Sequence, residues 1–136
     1  MPILNVKVSR PASAELTKQI AARLGELTAR ILKKPPEVTA IAIDYVPPEH
    51  WVIAGRTLVE HGKSSFYFDI KVTEGTNTKD EMAQYVAESF AAFREILGDL
   101  HEESYVYVEE VRGFAYGYGG RTQEFRYVKA AIARDL

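Results

Sequence analysis

The sequence predicts an α+β fold, in which two tandem β-α-β repeats form one four-stranded sheet with both helices on the same face. The first observation is a strand–helix–strand pattern that occurs twice in the 136 residues. The second is that the copies end alike, in WVIAGR at residues 51–56 and AYGYGGR at residues 115–121. The third is a lysine at the same place in the first strand of each copy, Lys7 and Lys71. A repeat of this kind indicates one supersecondary unit used twice, and a right-handed crossover makes the two strands of each unit parallel.

The two repeats are expected to form a single domain, because a chain of this length is expected to form one core. The segments are repeat one at residues 2–56, a linker at 57–65, repeat two at 66–121 and a closing segment at 122–136. The closing segment is predicted to be either a third short helix or an arm that reaches a neighbouring chain.

Repeat one begins with ILNVKV at residues 3–8, where alternation predicts a strand. The apolar positions of this strand share one face: Leu4, Val6 and Val8. Ser13 is a candidate helix N-cap. The helix that follows has an apolar stripe with spacings of three and four: Leu16, Ile20, Leu24, Leu27 and Ile31. Pro35 and Pro36 end it, and the β-branched run at residues 38–46 predicts the second strand.

Repeat two follows the same plan. FYFDIKV at residues 66–72 alternates as a strand, and Thr78 followed by Glu81 has the spacing of a capping box. The second helix has its own apolar stripe: Met82, Tyr85, Val86, Phe90, Phe93 and Leu97. Gly98 is a candidate C-cap, and SYVYVEEV at residues 104–111 predicts the fourth strand.

The sheet face away from the helices combines small residues, tyrosines and charges of both signs. Its predicted members are Asn5, Lys7, Ala40, Ala42, Asp44, Asp69, Lys71, Tyr105, Tyr107 and Glu109. This composition favours a face that meets another subunit over a simply solvated face.

Composition excludes several function classes. A net charge of −2 argues against binding to nucleic acid or to a membrane surface. The absence of cysteine removes disulfides and thiol chemistry. No apolar run approaches the ~20 residues of a membrane span, and the three histidines lack metal-ligand spacing. We therefore expect a cytoplasmic protein without a metal or other cofactor.

The proline behind the initiator methionine raises the question of chemistry. Pro2 has no N–H to donate to a sheet, but removal of Met1 would turn its nitrogen into a secondary amine with a free lone pair. Such an amine is a competent general base when its pKa lies near ambient pH. Burial against an apolar group such as Trp51, together with nearby cations, would lower the pKa. Phe66 occupies the matching place in repeat two, so one site per chain is expected.

An N-terminal proline, one helix, a second strand and a His-aromatic-x-Ile-x-Gly turn at residues 50–55 together resemble the 4-oxalocrotonate tautomerases, which are short β-α-β subunits. The whole chain resembles the fused, two-repeat members of the tautomerase superfamily. The resemblance implies the tautomerase fold of the macrophage migration inhibitory factor (MIF-like) type and a homotrimer that mimics a hexamer of single repeats. It also implies a cofactor-independent isomerase that uses Pro2 as the base on a small-molecule substrate.

The chain departs from the family at the two arginines that hold a dicarboxylate. The corresponding positions are Ala12 and Ala40 in repeat one and Thr76 and Tyr105 in repeat two. Without these charge-assisted clamps, a substrate with one carboxylate, or a less charged enol or ketone, fits better. Arg10 is the candidate replacement cation, if the turn that follows it is rearranged.

The chain also departs from the fused dehalogenases, which use a histidine on the first helix, two arginines and a tyrosine on the fourth strand. The corresponding positions are Thr28 or Ala29, Thr73 and Thr76, and only the tyrosine remains, as Tyr107. The chain therefore lacks most of the groups with which those enzymes activate water, whereas Tyr107 can donate a hydrogen bond to a substrate oxygen.

The predicted site has Pro2 as its base. Around it we expect Trp51 as an apolar wall, Tyr105, Tyr107, Thr73 and Thr76 of the same or a neighbouring chain as the polar end, and Arg10 or Arg56 as a cation. Two alternatives stay open. One is a Pro2-dependent decarboxylase or hydratase of a small three-carbon acid. The other is a trimeric binding protein that kept the fold without the chemistry.

Overall fold

The computed structural model describes residues 1–135. In chain order its elements are β1 (Ile3–Val8), α1 (Ala14–Ile31), β2 (Ala40–Tyr45), β3 (Val52–Ile53), β4 (Arg56–Thr57), α2 (Leu58–His61), β5 (Phe66–Thr73), α3 (Lys79–Leu97), β6 (Tyr105–Val111), β7 (Gly117–Tyr118), β8 (Arg121–Thr122) and α4 (Gln123–Asp135). The main sheet has four strands in the order β2-β1-β5-β6. The predicted α+β fold class is confirmed.

The core lies between this sheet and the pair α1 and α3, which pack against each other on one face. The predicted apolar stripes supply most of it, including Leu4, Val6, Val8, Ile20, Leu24, Phe68, Ile70, Tyr85 and Phe93, all of which are buried. The rings of Phe66 and Phe93 stack with centroids 3.9 Å apart. Each fully buried apolar side chain of this size contributes about 1.5–3 kcal/mol relative to exposure.

Both long helices begin at the predicted caps. The Ser13 hydroxyl accepts from the backbone N–H of Leu16 at 3.1 Å, and Thr78 and Glu81 form a complete capping box. The stretch Pro36–Val38 forms a short 3-10 turn, so β2 begins at Ala40, later than the predicted start at residue 38.

Strand direction decides which ends of the two units meet. β1 and β2 are parallel, and β5 and β6 are parallel, but β1 and β5 are antiparallel, with Leu4 opposite Ile70. The first residues of β1 therefore lie beside the last residues of β5 and β6. The segment that follows repeat two consequently reaches the amino terminus, whereas the segment that follows repeat one reaches the opposite end of the sheet.

The segment after β6 forms a tight hairpin and a final helix. At Gly117 a Cβ atom would lie 2.0 Å from the Arg121 carbonyl oxygen, so β7 and β8 approach as closely as they do only because this residue is glycine. α4 follows directly and occupies most of the closing segment; residue 136 lies outside the described residues. None of the α4 residues Gln123–Asp135 is buried.

The sheet face opposite the helices is open in the single chain. Tyr105 and Tyr107 are more than half exposed on it. Asp69 on the same face is buried. Its carboxylate accepts from the Tyr67 hydroxyl at 3.2 Å and from Lys71 Nζ at 3.0 Å. Across residues 1–135, no helix combines the length and apolar character needed to cross a bilayer.

A buried hydroxyl pair joins the two long helices and yields a stability prediction. The Tyr85 hydroxyl lies 2.8 Å from Thr28 Oγ1, which itself donates to the Leu24 carbonyl at 2.6 Å. Thr28→Val should lower the free energy of unfolding by about 1–3 kcal/mol, because it leaves the Tyr85 hydroxyl buried without its partner. Urea denaturation at neutral pH measures the change.

The double variant Thr28→Val/Tyr85→Phe provides the sharper comparison. Replacing both partners with apolar groups of similar shape is close to neutral, so the double variant should be more stable than Thr28→Val alone. Strictly additive losses in Thr28→Val and Tyr85→Phe would contradict the assigned contact.

Candidate active site

A cavity of about 420 Å³ lies at the amino terminus. β1 supplies its floor, the turn before β2 one side, and the β7 segment the other. Its lining residues are Met1, Pro2, Ile3, Glu37, Val38, Thr39, Ala40, Tyr116, Gly117 and Tyr118. This lining is mainly apolar with a few polar groups, as is typical of small-molecule sites.

Pro2 is buried in this cavity by its position at the head of β1. Its carbonyl accepts from the backbone N–H of Ala40 at 3.1 Å, which extends the β1–β2 ladder by one residue. Because the nitrogen of proline has no hydrogen to donate, the ladder constrains only its carbonyl. The nitrogen is left available for chemistry once no residue precedes it.

Tyr116 closes the cavity on the other side. Its hydroxyl donates to the Met1 carbonyl at 2.5 Å. Burial raises the pKa of Tyr116, although the Ile3 N–H and the charge of Lys71 oppose the shift. The phenol is therefore neutral near pH 7 and acts as a donor.

Lys34 is one of the cations at this end of the molecule. Its Nζ donates to Thr76 Oγ1 at 2.8 Å, and Thr76 Oγ1 donates to the Thr73 carbonyl at 2.6 Å. Burial first, and the charge of Lys34 second, lower the pKa of the amino-terminal ammonium. Burial also lowers the pKa of Lys34 itself, against the opposing charge of Glu81. The site thus disfavours protonation of an amine at the chain start.

Comparison with known proteins identifies the family of the chain. The tautomerase enzyme family model matches residues 2–60. The probable tautomerase K2 of Dickeya dadantii (strain 3937) is 33% identical over 61 residues, which cover 44% of this chain and 91% of that protein. The chain belongs to the tautomerase family. The predicted resemblance is confirmed.

Solved structures extend the likeness to both repeats. The R7 fused 4-OT, an asymmetric trimer, matches with a TM-score of 0.80 at 16% identity, over 92% of this chain and 98% of that one. Pt0534 inactivated by 2-oxo-3-pentynoate matches with a TM-score of 0.78 at 18% identity, over 90% of this chain and 98% of that one. At these identities the likeness shows the fold alone, and the fold is that of the fused tautomerases.

The structure brings some of the predicted site residues to the amino terminus of this tautomerase-family chain. Thr76 is hydrogen-bonded to Lys34. Continuing the register of Leu4 with Ile70 brings Thr73 beside Met1. Pro2 and both threonines thus lie at the same end of the sheet.

Trp51 does not line the cavity of its own chain, and its role as an apolar wall stays a prediction. Trp51 follows β2, and therefore lies at the end of the sheet where Val8 pairs with Tyr45. The antiparallel β1–β5 pair is the reason, because it brings the end of repeat two, not of repeat one, to Pro2. When the turns AGR and GGR are aligned, the counterpart of Trp51 is Tyr116.

Arg10 is also far from Pro2 within the chain. It follows the end of β1, where its guanidinium donates to Ser64 Oγ at 3.1 Å and to the Leu97 carbonyl. These contacts hold the linker and the end of α3 together. Arg10 therefore supplies no cation to the cavity of its own chain, and its role as a substrate-binding residue stays a prediction. Arg56, the other candidate, donates to the Glu60 carbonyl at 3.2 Å beside α2.

Tyr105 and Tyr107 lie on the open face of β6, outside the lining of their own chain's cavity. Tyr107 pairs with Asp69, and the Tyr105 hydroxyl donates to the Glu103 carboxylate. A role for either tyrosine in a neighbouring chain's site stays a prediction.

Sequence reasoning missed Lys34 and Tyr116. Aligning the two repeats relates Tyr116 to Trp51. Together with the antiparallel pairing of β1 and β5, this alignment identifies Tyr116 as a residue at the amino terminus. Lys34 had no such signal, because it lies in an irregular stretch where Lys33 adopts a left-handed backbone (φ 58°). Within residues 1–135, no group of three or more His, Cys, Asp or Glu side chains could hold a metal ion.

Proposed function

We propose that the protein is a cofactor-independent tautomerase that uses the amine of Pro2, after removal of Met1, as the general base for keto–enol proton transfer on a small 2-oxo or enol acid. The observation that carries the proposal is the burial of Pro2 in the cavity at the amino terminus, where burial first and the charge of Lys34 second lower the pKa of the Met1 ammonium. A lowered pKa leaves a larger neutral fraction near pH 7.

The proton transfer follows from this geometry. In ketonisation, the Pro2 nitrogen takes the proton of the enol hydroxyl, and the resulting ammonium delivers it to the carbon of the double bond. The enol C=C pair forms the new C–H bond, and the oxygen lone pair forms the C=O bond. No oxidant or other reactant is required.

The charges favour one class of substrate. Lys34 supplies one cation, hydrogen-bonded to Thr76, whereas Arg10 and Arg56 are engaged at other sites. One cation matches one carboxylate. Pt0534, which has the same fold, is inactivated by 2-oxo-3-pentynoate, itself a monocarboxylate 2-oxo acid, and this supports a 2-oxo acid as the ligand class here.

We also propose a homotrimer. The R7 fused 4-OT of the same fold is a trimer, and the exposed tyrosines and mixed charges of the open sheet face suit a buried subunit contact. In that assembly Tyr105 and Tyr107 would meet a neighbouring chain.

Ketonisation of phenylenolpyruvate and of 2-hydroxymuconate, followed by ultraviolet absorbance, tests the proposal. Protein whose intact mass shows that Pro2 is the first residue should convert phenylenolpyruvate, and prefer this monocarboxylate to the dicarboxylate. The matched control is the same chain with Met1 retained, in which the Pro2 nitrogen is an amide and turnover should be lost. If the processed protein converts neither enol, the proposed function is wrong.

A further inference from the structure

The hydroxyl of Tyr116 is held at the reacting nitrogen. It donates to the Met1 carbonyl oxygen at 2.5 Å, and the carbon of that carbonyl is bonded directly to the Pro2 nitrogen. The Tyr116 hydroxyl is therefore hydrogen-bonded to an oxygen that is two covalent bonds from the Pro2 nitrogen, the proposed base.

Removal of Met1 takes away the acceptor and leaves the donor. The chain at Tyr116 is still held by the N–H of Gln123, which donates to the Tyr116 carbonyl at 2.8 Å. The hydroxyl then faces the volume that Met1 occupied, beside the free amine. A partly buried donor without an acceptor is unfavourable, so this position favours a ligand oxygen.

We propose that Tyr116 is a catalytic residue, whose hydroxyl donates a hydrogen bond to the substrate oxygen on which negative charge develops. The proposal rests on the proposed function of Pro2 and adds the group that stabilises its transition state. The Met1 carbonyl marks the place of that substrate oxygen.

The electron movement shows what the hydrogen bond does. In the enolisation direction, the Pro2 nitrogen accepts a proton from the carbon next to the ketone. The C–H pair becomes the C=C bond, and the C=O π pair moves to oxygen, which gains negative charge while the nitrogen gains positive charge. Tyr116 keeps its proton and donates to this oxygen throughout, and the Pro2 ammonium then protonates the oxygen to give the neutral enol. A donor fixed before the reaction stabilises the charge that appears in it.

Tyr116→Phe removes only the hydroxyl and keeps the ring in the hairpin. With phenylenolpyruvate, kcat should fall about 10²-fold, the loss typical of one oxyanion donor, while KM changes by less than about 3-fold. Tyr127→Phe is the matched control, since this tyrosine is 71% exposed on α4 and should retain full activity. Circular dichroism and the Tm show that both variants are folded.

Alkylation by 2-oxo-3-pentynoate is a second readout that does not need turnover. The Pro2 nitrogen adds to the alkyne carbon remote from the ketone, the alkyne π pair moves toward the ketone oxygen, and the ammonium proton passes to the adjacent carbon. The product has the combined mass of protein and reagent. Tyr116→Phe should slow this addition about 10-fold or more, because the same oxygen gains charge.

The two readouts separate the two proposals. Tyrosine-dependent alkylation in a protein that ketonises neither enol supports the role of Tyr116 at the amine and overturns the proposed function. Ketonisation and alkylation that survive Tyr116→Phe within about 3-fold overturn the role of Tyr116 and leave the proposed function standing. Absence of both reactions in the processed wild type overturns both.

Discussion

Replacing Pro2 with alanine should lower kcat/KM for phenylenolpyruvate by about 10²-fold or more, in line with the contribution of a general base. Alanine leaves a primary amine at the chain start, so some activity should remain. It loses the ring that fixes the direction of the nitrogen lone pair, and the apolar volume that helps to bury it. Ultraviolet assays on protein of verified amino-terminal mass measure the loss.

Pro11→Ala is the matched control for this change. Pro11 is exposed near the opposite end of the sheet, beside the start of α1. The control should keep the wild-type rate. A Pro2→Ala protein with unchanged kcat/KM would contradict the role of Pro2 as the base, and would assign the proton transfer to another group.

Removal of the Lys34 charge is expected to have the second-largest effect. Lys34→Met should raise KM for phenylenolpyruvate about 10- to 100-fold, the range of a lost hydrogen bond to a charged group. It should also shift the pH dependence of kcat/KM. A protonated amine cannot accept a proton, so kcat/KM falls as the pH drops through the pKa of the amine.

The direction of the pH effect follows from the charge. Burial first, and the charge of Lys34 second, lower the pKa of the Met1 ammonium, and we expect both to act on the amine of Pro2 after processing. Without the Lys34 charge the pKa of that amine rises, so the acid limb of kcat/KM should move to higher pH. Lys33→Met is the control, because Lys33 Nζ pairs with Glu81 at 2.8 Å and is largely exposed. An unshifted limb in Lys34→Met would show that burial alone tunes the amine.

Local patterns predicted the local structure well. Ser13, Thr78 and Glu81 form the caps that their spacing indicates. Apolar periodicity identified the helix faces that pack on the sheet. These features depend on residues within one or two helical turns of each other, which a sequence displays directly.

The position of the candidate site depends on the direction in which the two repeats pair, which local sequence patterns do not reveal. Two β-α-β units can pair through their first strands in either direction, and the antiparallel choice of β1 and β5 decides which loop reaches Pro2. Trp51 and Tyr116 are equivalent within their repeats, yet only Tyr116 lies at the amino terminus. A pairing that connects residues some 60 positions apart is a property of packing across the core, and no motif in either loop encodes it.

The cation was missed for a related reason. Family arginines drew attention to positions 10 and 12, whereas Lys34 reaches the site from the end of α1 through its bond to Thr76. An irregular segment between a helix and a strand has no periodicity from which the direction of a side chain could be inferred.

Amide exchange in the final helix should report whether the chain associates with another surface. α4 has 13 residues, and none of them is buried, although Phe125, Val128 and Ile132 form an apolar side of the helix. A helix of that length is marginal in water without packing, so in a lone chain its amide protons should exchange with deuterium much faster than those of α1 and α3. If a second surface covers α4, exchange in this one segment should slow while exchange in the core stays the same. Amide exchange measured against protein concentration would thus detect association from a single helix.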